Sequence, residues 1–173
     1  RGLGGLWREL TTQESSLRMS GGRPLRVVDA VAVKLCWRPA PALEGAEASP
    51  CRVLVRCLSR PFADGAEKPS RQLPAAQKRR EEAWEDSAVR CLETALGVPR
   101  QDFKAALQER RCEDGPQRIF FEEEKDSSAY PGIPCLYRSH LVSWALKDDA
   151  AALPCAGALG LRPEGGAAAA TMS

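Results

Sequence analysis

The sequence lacks several features that would identify a function at once. It has one histidine, His140, among 173 residues, and aromatic residues make up only 6% of the chain. A zinc site or a histidine-dependent triad would have to be built around that imidazole. Cys135 lies nearby, but a strand histidine bonded to a neighbour is favoured over a Cys/His nucleophile pair. No apolar run approaches the roughly 20 residues that a membrane-spanning helix requires, so we expect no membrane partner.

An excess of one charge and closely paired cysteines are also missing. The 25 basic and 23 acidic residues leave a net charge of +2, which is too small for the basic surface of a dedicated nucleic-acid-binding protein. The seven cysteines are odd in number and none forms a C-x-x-C pair, so the sequence predicts neither a disulfide framework nor a zinc site. That usage is typical of an intracellular, reducing compartment, without distinguishing the cytoplasm from an organelle.

What remains is sufficient for one folded domain. Hydrophobic residues make up 43% of the chain, and its length allows a core of ordinary size. Because the first residue is Arg1 rather than Met, we expect the chain to belong to a larger protein. We predict an N-terminal lead-in with a short helix over residues 1–25, a domain over 26–150, and a low-complexity, disordered tail over 151–173.

Hydrophobic patterning indicates a layered fold that combines strands and helices. A Val-rich run at 26–37 and an alternating run at 51–60 predict strands. An amphipathic helix follows and ends at Gly97, with Pro99 just beyond it. The remaining predicted elements are a short helix over 100–111 and strands over 117–124 and 136–146.

The helix before Gly97 has a distinct apolar stripe. Its members recur at helical spacing: Trp84, Ala88, Cys91, Leu92, Ala95 and Leu96. Asp86 and Arg90 are spaced for an i, i+4 ion pair on the opposite side. Taken alone, this pattern predicts a surface helix that packs one face on a sheet.

Residues 76–98 resemble the Nudix box. The segment runs Ala76, five residues, Glu82, seven residues and then RCLETALGV from Arg90 to Val98. The positions that match the family motif are Glu82, Arg90, Leu92, Gly97 and Val98. The resemblance implies a Nudix-like α/β/α sandwich with a mixed sheet. In a complete box it would also imply Mg²⁺-dependent hydrolysis of nucleoside diphosphate derivatives.

The metal-binding positions of this box depart from the family pattern. Where the family has three glutamates that hold Mg²⁺, this chain has Cys91, Thr94 and Ala95. A thiol is a soft, poor ligand for Mg²⁺, a lone hydroxyl is weak, and Ala offers no donor atom. The first Gly of the motif is replaced by Ala76, which would restrict a tight loop. We therefore predict a degenerate box in a pseudoenzyme with no expected cofactor, acting as a ligand-binding or protein-interaction module.

Two other interpretations stay open. An active pyrophosphohydrolase would use Mg²⁺ or Mn²⁺, with Glu82 as metal-binding and catalytic candidate and further carboxylates at Glu93, Glu122 and Glu124. It requires at least two of these carboxylates to lie close enough to share one metal ion. Alternatively, the chain is an unrelated α+β structural domain whose match to the box is accidental.

Four residues are candidates for contact with a ligand or partner. Arg79 and Arg80 precede the helix and are suited to a phosphate or an acidic partner. Tyr130 and Tyr137 flank a Pro-Gly turn whose composition suits a binding loop. The expected partner is a nucleotide or another phosphorylated small molecule, or other domains of the parent protein.

Overall fold

The protein folds as a mixed sheet flanked by helices, which confirms the predicted α/β class. The computed structural model describes residues 2–38, 50–59, 68–107, 118–127, 129–147, 156–157 and 161. Its elements, in chain order, are α1 (Leu3–Thr11), β1 (Ser16–Ser20), β2 (Arg23–Trp37), β3 (Arg52–Val53), β4 (Arg56–Ser59), β5 (Lys68–Gln72), β6 (Ala75–Gln77), α2 (Trp84–Leu96), α3 (Arg100–Ala106), β7 (Arg118–Asp126) and β8 (Pro134–Ala145).

The long strand β2 is the centre of the sheet. The strands run in the order β1-β2-β8-β7, and β3 and β6 also pair with β2. β2 is antiparallel to β1, β3 and β6 but parallel to β8. Because it has neighbours on both edges, its Val-rich sequence fits a strand that is largely covered by other parts of the molecule. β4 and β5 form a separate antiparallel pair.

The main core lies between one face of the sheet and the helix α2. Val31 and Val33 of β2 are completely buried there, together with Ala88 and Leu92 of α2. The helix α3 adds Phe103, which is also buried. Burial of one aliphatic side chain stabilises a fold by about 1.5–3 kcal/mol, so this layer fixes the box helix on the sheet.

The end of α2 agrees with the prediction. Gly97 adopts the left-handed conformation, with a φ of 67°, and its N–H donates to the carbonyl of Glu93 at 2.8 Å. Glycine reaches that conformation without the steric penalty of a Cβ atom. The chain then turns back at once, and the next residue, Val98, is buried in the core.

The strands differ from the prediction in several places, and neither β5 nor β6 was predicted. The run 51–60 forms two short strands, β3 and β4, rather than one. β1 was not predicted; it forms a hairpin with β2 through Gly21 and Gly22, which have φ values of 56° and 75°. Two consecutive residues with positive φ suit a tight hairpin turn, whereas the sequence indicated only a break. Of the second predicted helix, α3 covers residues 100–106, and residues 108–111 lie outside the described part.

Described residues of both the predicted lead-in and the predicted tail contact the predicted central domain. β1 belongs to the main sheet, although it falls within the predicted lead-in. Within the predicted tail, Ala156 and Leu161 are buried in the core cluster, and most other tail residues lie outside the described part. Among the helices described, none is long and apolar enough to cross a membrane.

Candidate functional site

Glu82 and Arg90 form a two-point ion pair at the start of the box helix. The Arg90 Nε donates to Glu82 Oε1 at 2.8 Å, and its terminal nitrogen Nη2 donates to Oε2 at 2.7 Å. The fork of a guanidinium matches a carboxylate in this geometry, which makes the pair stronger than a single contact. Glu82 retains 14% of its side-chain exposure and Arg90 retains 32%, so the pair is partly shielded from water.

The same ion pair joins three segments of the box. Arg90 Nη2 also donates to the carbonyl of Gln77 in β6 at 2.9 Å. The backbone N–H of Arg79, in the loop between β6 and α2, donates to Glu82 at 3.1 Å. The hydrogen bond from Arg90 lowers the pKa of Glu82 to about 2. Glu82 is therefore an ionised group that holds the loop against the helix.

The predicted ion pair between Asp86 and Arg90 is wrong. Asp86 has the correct i, i+4 spacing, but its carboxylate pairs with Arg100 at the start of α3. Glu82 outcompetes it because the loop brings both of its oxygens to the guanidinium. A backbone N–H then fixes the carboxylate in that position.

The three positions that hold metal ligands in the family do not share an environment here. Cys91 is buried, at 4% exposure, whereas Thr94 and Ala95 are exposed. The prediction that Ala95 packs in the apolar stripe is therefore wrong. The buried residues of α2 lie between Ser87 and Leu92, whereas Ala95 lies in the last turn of the helix, beyond them.

Ala76, at the position of the first motif glycine, lies in β6. It pairs with Val31 of β2 in an extended, antiparallel ladder. Its φ is not positive, and an extended backbone accepts any side chain. A glycine is therefore not needed at this position, and Ala76 does not distort the segment.

The residues at the box positions do not fit a Mg²⁺ site. Mg²⁺ requires hard oxygen ligands in near-octahedral geometry, and a buried thiol, an exposed hydroxyl and a methyl group do not provide them. Within the part of the chain that the structure describes, no group of three or more His, Cys, Asp or Glu side chains is arranged to hold a metal ion.

The other carboxylate candidates lie on separate elements. Glu93 accepts the backbone N–H of Arg100 at 2.8 Å, which attaches the end of α2 to the start of α3. Glu122 and Glu124 lie on the exposed strand β7, opposite Arg138 and Leu136 of β8. Glu93 therefore lies on a different element from Glu122 and Glu124, and it already bonds to the backbone of α3.

A cleft of about 320 Å³ lies beside the box loop. It is formed by the α1–β1 connection, β1, β2, β8 and the loop that carries Arg80. The lining residues are Leu10, Gln13, Glu14, Ser15, Ser16, Leu17, Arg18, Val27, Asp29, Arg80 and Arg138. Three guanidinium groups and two carboxylates therefore surround one cavity, with polar and apolar surface between them.

One of these guanidinium groups has a fixed orientation. Arg138 donates to Asp29 Oδ2 at 2.6 Å, across the parallel pairing of β2 and β8. This hydrogen bond raises the pKa of Arg138. Arg80 also lines the cleft, but its side chain is exposed. The cleft thus combines a preorganised cation with one that is free to adjust to an anion.

The remaining predicted contacts have different environments. Arg79 is exposed, whereas Tyr130 is buried and its hydroxyl donates to Glu9 at 2.9 Å. Tyr137 is partly buried beneath Lys125, whose Nζ lies 4.9 Å from the ring centroid. Burial is the main cause that raises the pKa of Tyr137. Of the four predicted contacts, Arg80 is the one that lines the cleft.

His140 is not paired with Cys135. Both lie on β8, but residues 135 and 140 point to opposite faces of the sheet because side chains alternate along a strand. Among the described residues, the buried Nδ1 of His140 has no hydrogen-bond partner, so the expected bond to a neighbour is not made. Burial, followed by the charges of Arg118 and Lys78, lowers the pKa of His140.

A buried polar network on the far face of the sheet was missed by sequence reasoning. Glu9 of α1 and Arg26 of β2 are 1% and 3% exposed, and Arg26 Nε donates to Glu9 Oε2 at 3.1 Å. Arg26 also donates to the sulfur of Cys135, and Tyr130 donates to Glu9. The network joins α1, β2 and the start of β8. Its partners lie 17 to 121 residues apart in sequence, so no local motif indicates it.

The comparisons with known proteins give weak structural likenesses. A search against protein-family models found no match, and a search of curated proteins also found none. The chain is 18% identical to a Nudix hydrolase from M. smegmatis, RenU, over 84% of this chain and 91% of that one, with a TM-score of 0.36. It is 15% identical to the C. elegans Ap4A hydrolase, over 78% and 94%, with a TM-score of 0.31. At these values the likeness carries no weight, so the α/β assignment rests on the sheet and helices described above.

Proposed function

We propose that the chain is a Nudix-like domain that binds a phosphorylated small molecule without hydrolysing it. The observation that carries this proposal is a contrast within the box, residues 76–98. Glu82 and Arg90 form the ion pair that holds the box together, while the positions for metal-binding glutamates are occupied by Cys91, Thr94 and Ala95. The segment thus keeps the residues that shape the loop and lacks those that would hold Mg²⁺.

The cleft is the proposed binding site. Its volume of about 320 Å³ lies within the usual range for small-molecule sites. Arg80 and Arg18 are placed to donate to phosphate oxygens, and Arg138 adds a cation that Asp29 already orients. A nucleoside diphosphate derivative would supply both the anionic groups and an apolar or aromatic part for the remaining walls. Without a metal to activate water, the bound phosphates would stay intact.

Replacement of Arg80 by Ala should weaken binding of such a ligand by about 10- to 100-fold. A hydrogen bond to a charged group contributes about 1.5–3 kcal/mol, and 1.4 kcal/mol corresponds to a tenfold change in affinity. The measurement is isothermal titration calorimetry of the full chain at low salt, with ADP-ribose, ADP and inorganic pyrophosphate as probes. The matched control is Arg23→Ala, an exposed arginine at the start of β2 outside the cleft.

Two results would overturn the proposal. In the first, the wild-type chain binds none of the three probes. In the second, Arg23→Ala reduces binding as much as Arg80→Ala, which would show a non-specific effect of net charge rather than a site in the cleft.

A further inference from the structure

The strand β7 carries apolar side chains at an edge of the sheet. It is the last strand in the order β1-β2-β8-β7, and its pairing within the described residues is with β8 alone. Ile119, Phe120 and Phe121 are 45%, 48% and 47% exposed. An open strand edge with large apolar side chains on both faces is a template for pairing with another strand.

We propose that β7 pairs antiparallel with β7 of a second copy of this chain, about a two-fold axis at Phe120. In this register Phe120 lies opposite its own symmetry mate and Ile119 lies opposite Phe121. Arg118 then lies opposite Glu122. A two-fold interface is self-complementary, so each of the last two contacts is formed twice.

In this register, opposite charges face each other on one face of the strand, and apolar side chains face each other on both faces. Arg118, Phe120 and Glu122 point to one face because side chains alternate along a strand. That face would hold two Arg–Glu pairs on either side of a Phe–Phe contact. The other face would hold two Ile–Phe contacts. Directly opposed apolar pairs and opposite charges both stabilise a sheet, whereas like charges destabilise it.

Neighbouring symmetric registers are less favourable. If the axis lies at Phe121, Phe120 is placed opposite Glu122 and Ile119 opposite Glu123. If it lies at Glu122, that carboxylate faces its own mate and Phe120 faces Glu124. Both registers bring apolar side chains or carboxylates against carboxylates. Of these three registers, the sequence of β7 favours the one centred on Phe120.

The acidic second half of β7 limits the size of the contact. Residues 122–126 read EEEKD, and charged side chains along an edge discourage further pairing. Five residues of each strand, 118–122, would make the interface. An interface this short falls in the weak, transient size class, so we expect a reversible, concentration-dependent dimer.

A charge-swap series measured by analytical ultracentrifugation tests this proposal. The wild-type chain, of 18.8 kDa, should approach twice that mass between about 1 µM and about 300 µM, the range in which weak complexes associate. Arg118→Glu and Glu122→Arg should each weaken dimerisation about tenfold or more, because each places like charges opposite one another twice. The double variant Arg118→Glu/Glu122→Arg should restore it. Circular dichroism would check that every variant is folded.

The control lies on the other edge of the sheet. Met19 of β1 is 71% exposed, and Met19→Glu should leave dimerisation unchanged. A wild-type chain that stays monomeric throughout the range would overturn the proposal, as would a segment of the same chain found covering β7. A double variant that fails to recover, or a loss caused by Met19→Glu, would also overturn it.

Discussion

Replacement of Arg26 by Met should lower the free energy of unfolding by about 3–5 kcal/mol, the cost of removing one partner of a buried ion pair. Arg26 and Glu9 are 3% and 1% exposed. Without the guanidinium, the carboxylate of Glu9 stays buried and loses its cation, although the hydroxyls of Tyr130 and Ser15 still donate to it. Since α1 is joined to the sheet through this network, its attachment should loosen first. Urea denaturation followed by tryptophan fluorescence gives the measurement.

The double variant Glu9→Leu/Arg26→Met separates the ion pair from simple loss of packing. Removing both charges leaves no unpaired buried ion, so much of the stability lost in the single variant should return. Arg23→Met is the matched control, because Arg23 is exposed at the start of the same strand and such changes usually stay within about 0.5 kcal/mol. A single variant as stable as this control would contradict the structural role given to the network.

Glu82→Gln should destabilise the chain by about 2–3 kcal/mol at pH 7, and the difference should shrink in acid. The folded-state pKa of Glu82 is lowered from 4.5 to about 2, chiefly by the hydrogen bond from Arg90. A lowered folded-state pKa gives stability that is present above the unfolded pKa and is lost as the pH falls through about 2. The full shift in the pKa of Glu82 corresponds to about 3.4 kcal/mol. The expected effect is smaller, about 2–3 kcal/mol, because both side chains keep some contact with water.

The measurement is the free energy of unfolding of the wild type and of Glu82→Gln at several pH values between about 7 and 3. The difference in free energy of unfolding between the two proteins should be constant near pH 7. It should become smaller below about pH 4.5, the pKa of this carboxyl in the unfolded chain. Glu81→Gln is the control, since Glu81 is the neighbouring carboxylate and is exposed. A gap that stays constant down to pH 3 would show that the effect of Glu82 is not electrostatic.

The sequence predicted those features of the fold that depend on local pattern. β2, β8 and α2 were found because apolar periodicity and a Val-rich run are local properties. The end of α2 was found because Gly97 is suited to the left-handed conformation. β1 was missed because its five residues, SLRMS, contain only two apolar side chains, too few to establish an alternating pattern.

The errors within the box have a different physical origin. Helical periodicity gives the angular position of each residue but not how far along the helix the rest of the molecule covers it. Ala95 lies in the last turn of α2 and is exposed, while Ser87 is buried. Likewise, spacing offered Asp86 as the partner of Arg90, but the loop provides the two-point contact with Glu82. The buried pair of Glu9 and Arg26 depends on tertiary contact alone.

The most direct test of the central claim is a hydrolysis assay of the purified full chain. ADP-ribose and other nucleoside diphosphate derivatives would be incubated with Mg²⁺ or Mn²⁺, and the phosphates followed by ³¹P NMR. We predict that the phosphate resonances shift or broaden on binding, with no cleavage above that seen with a folded Glu82→Gln variant. Cleavage by the wild type that is lost in Glu82→Gln would contradict this account and establish an active hydrolase.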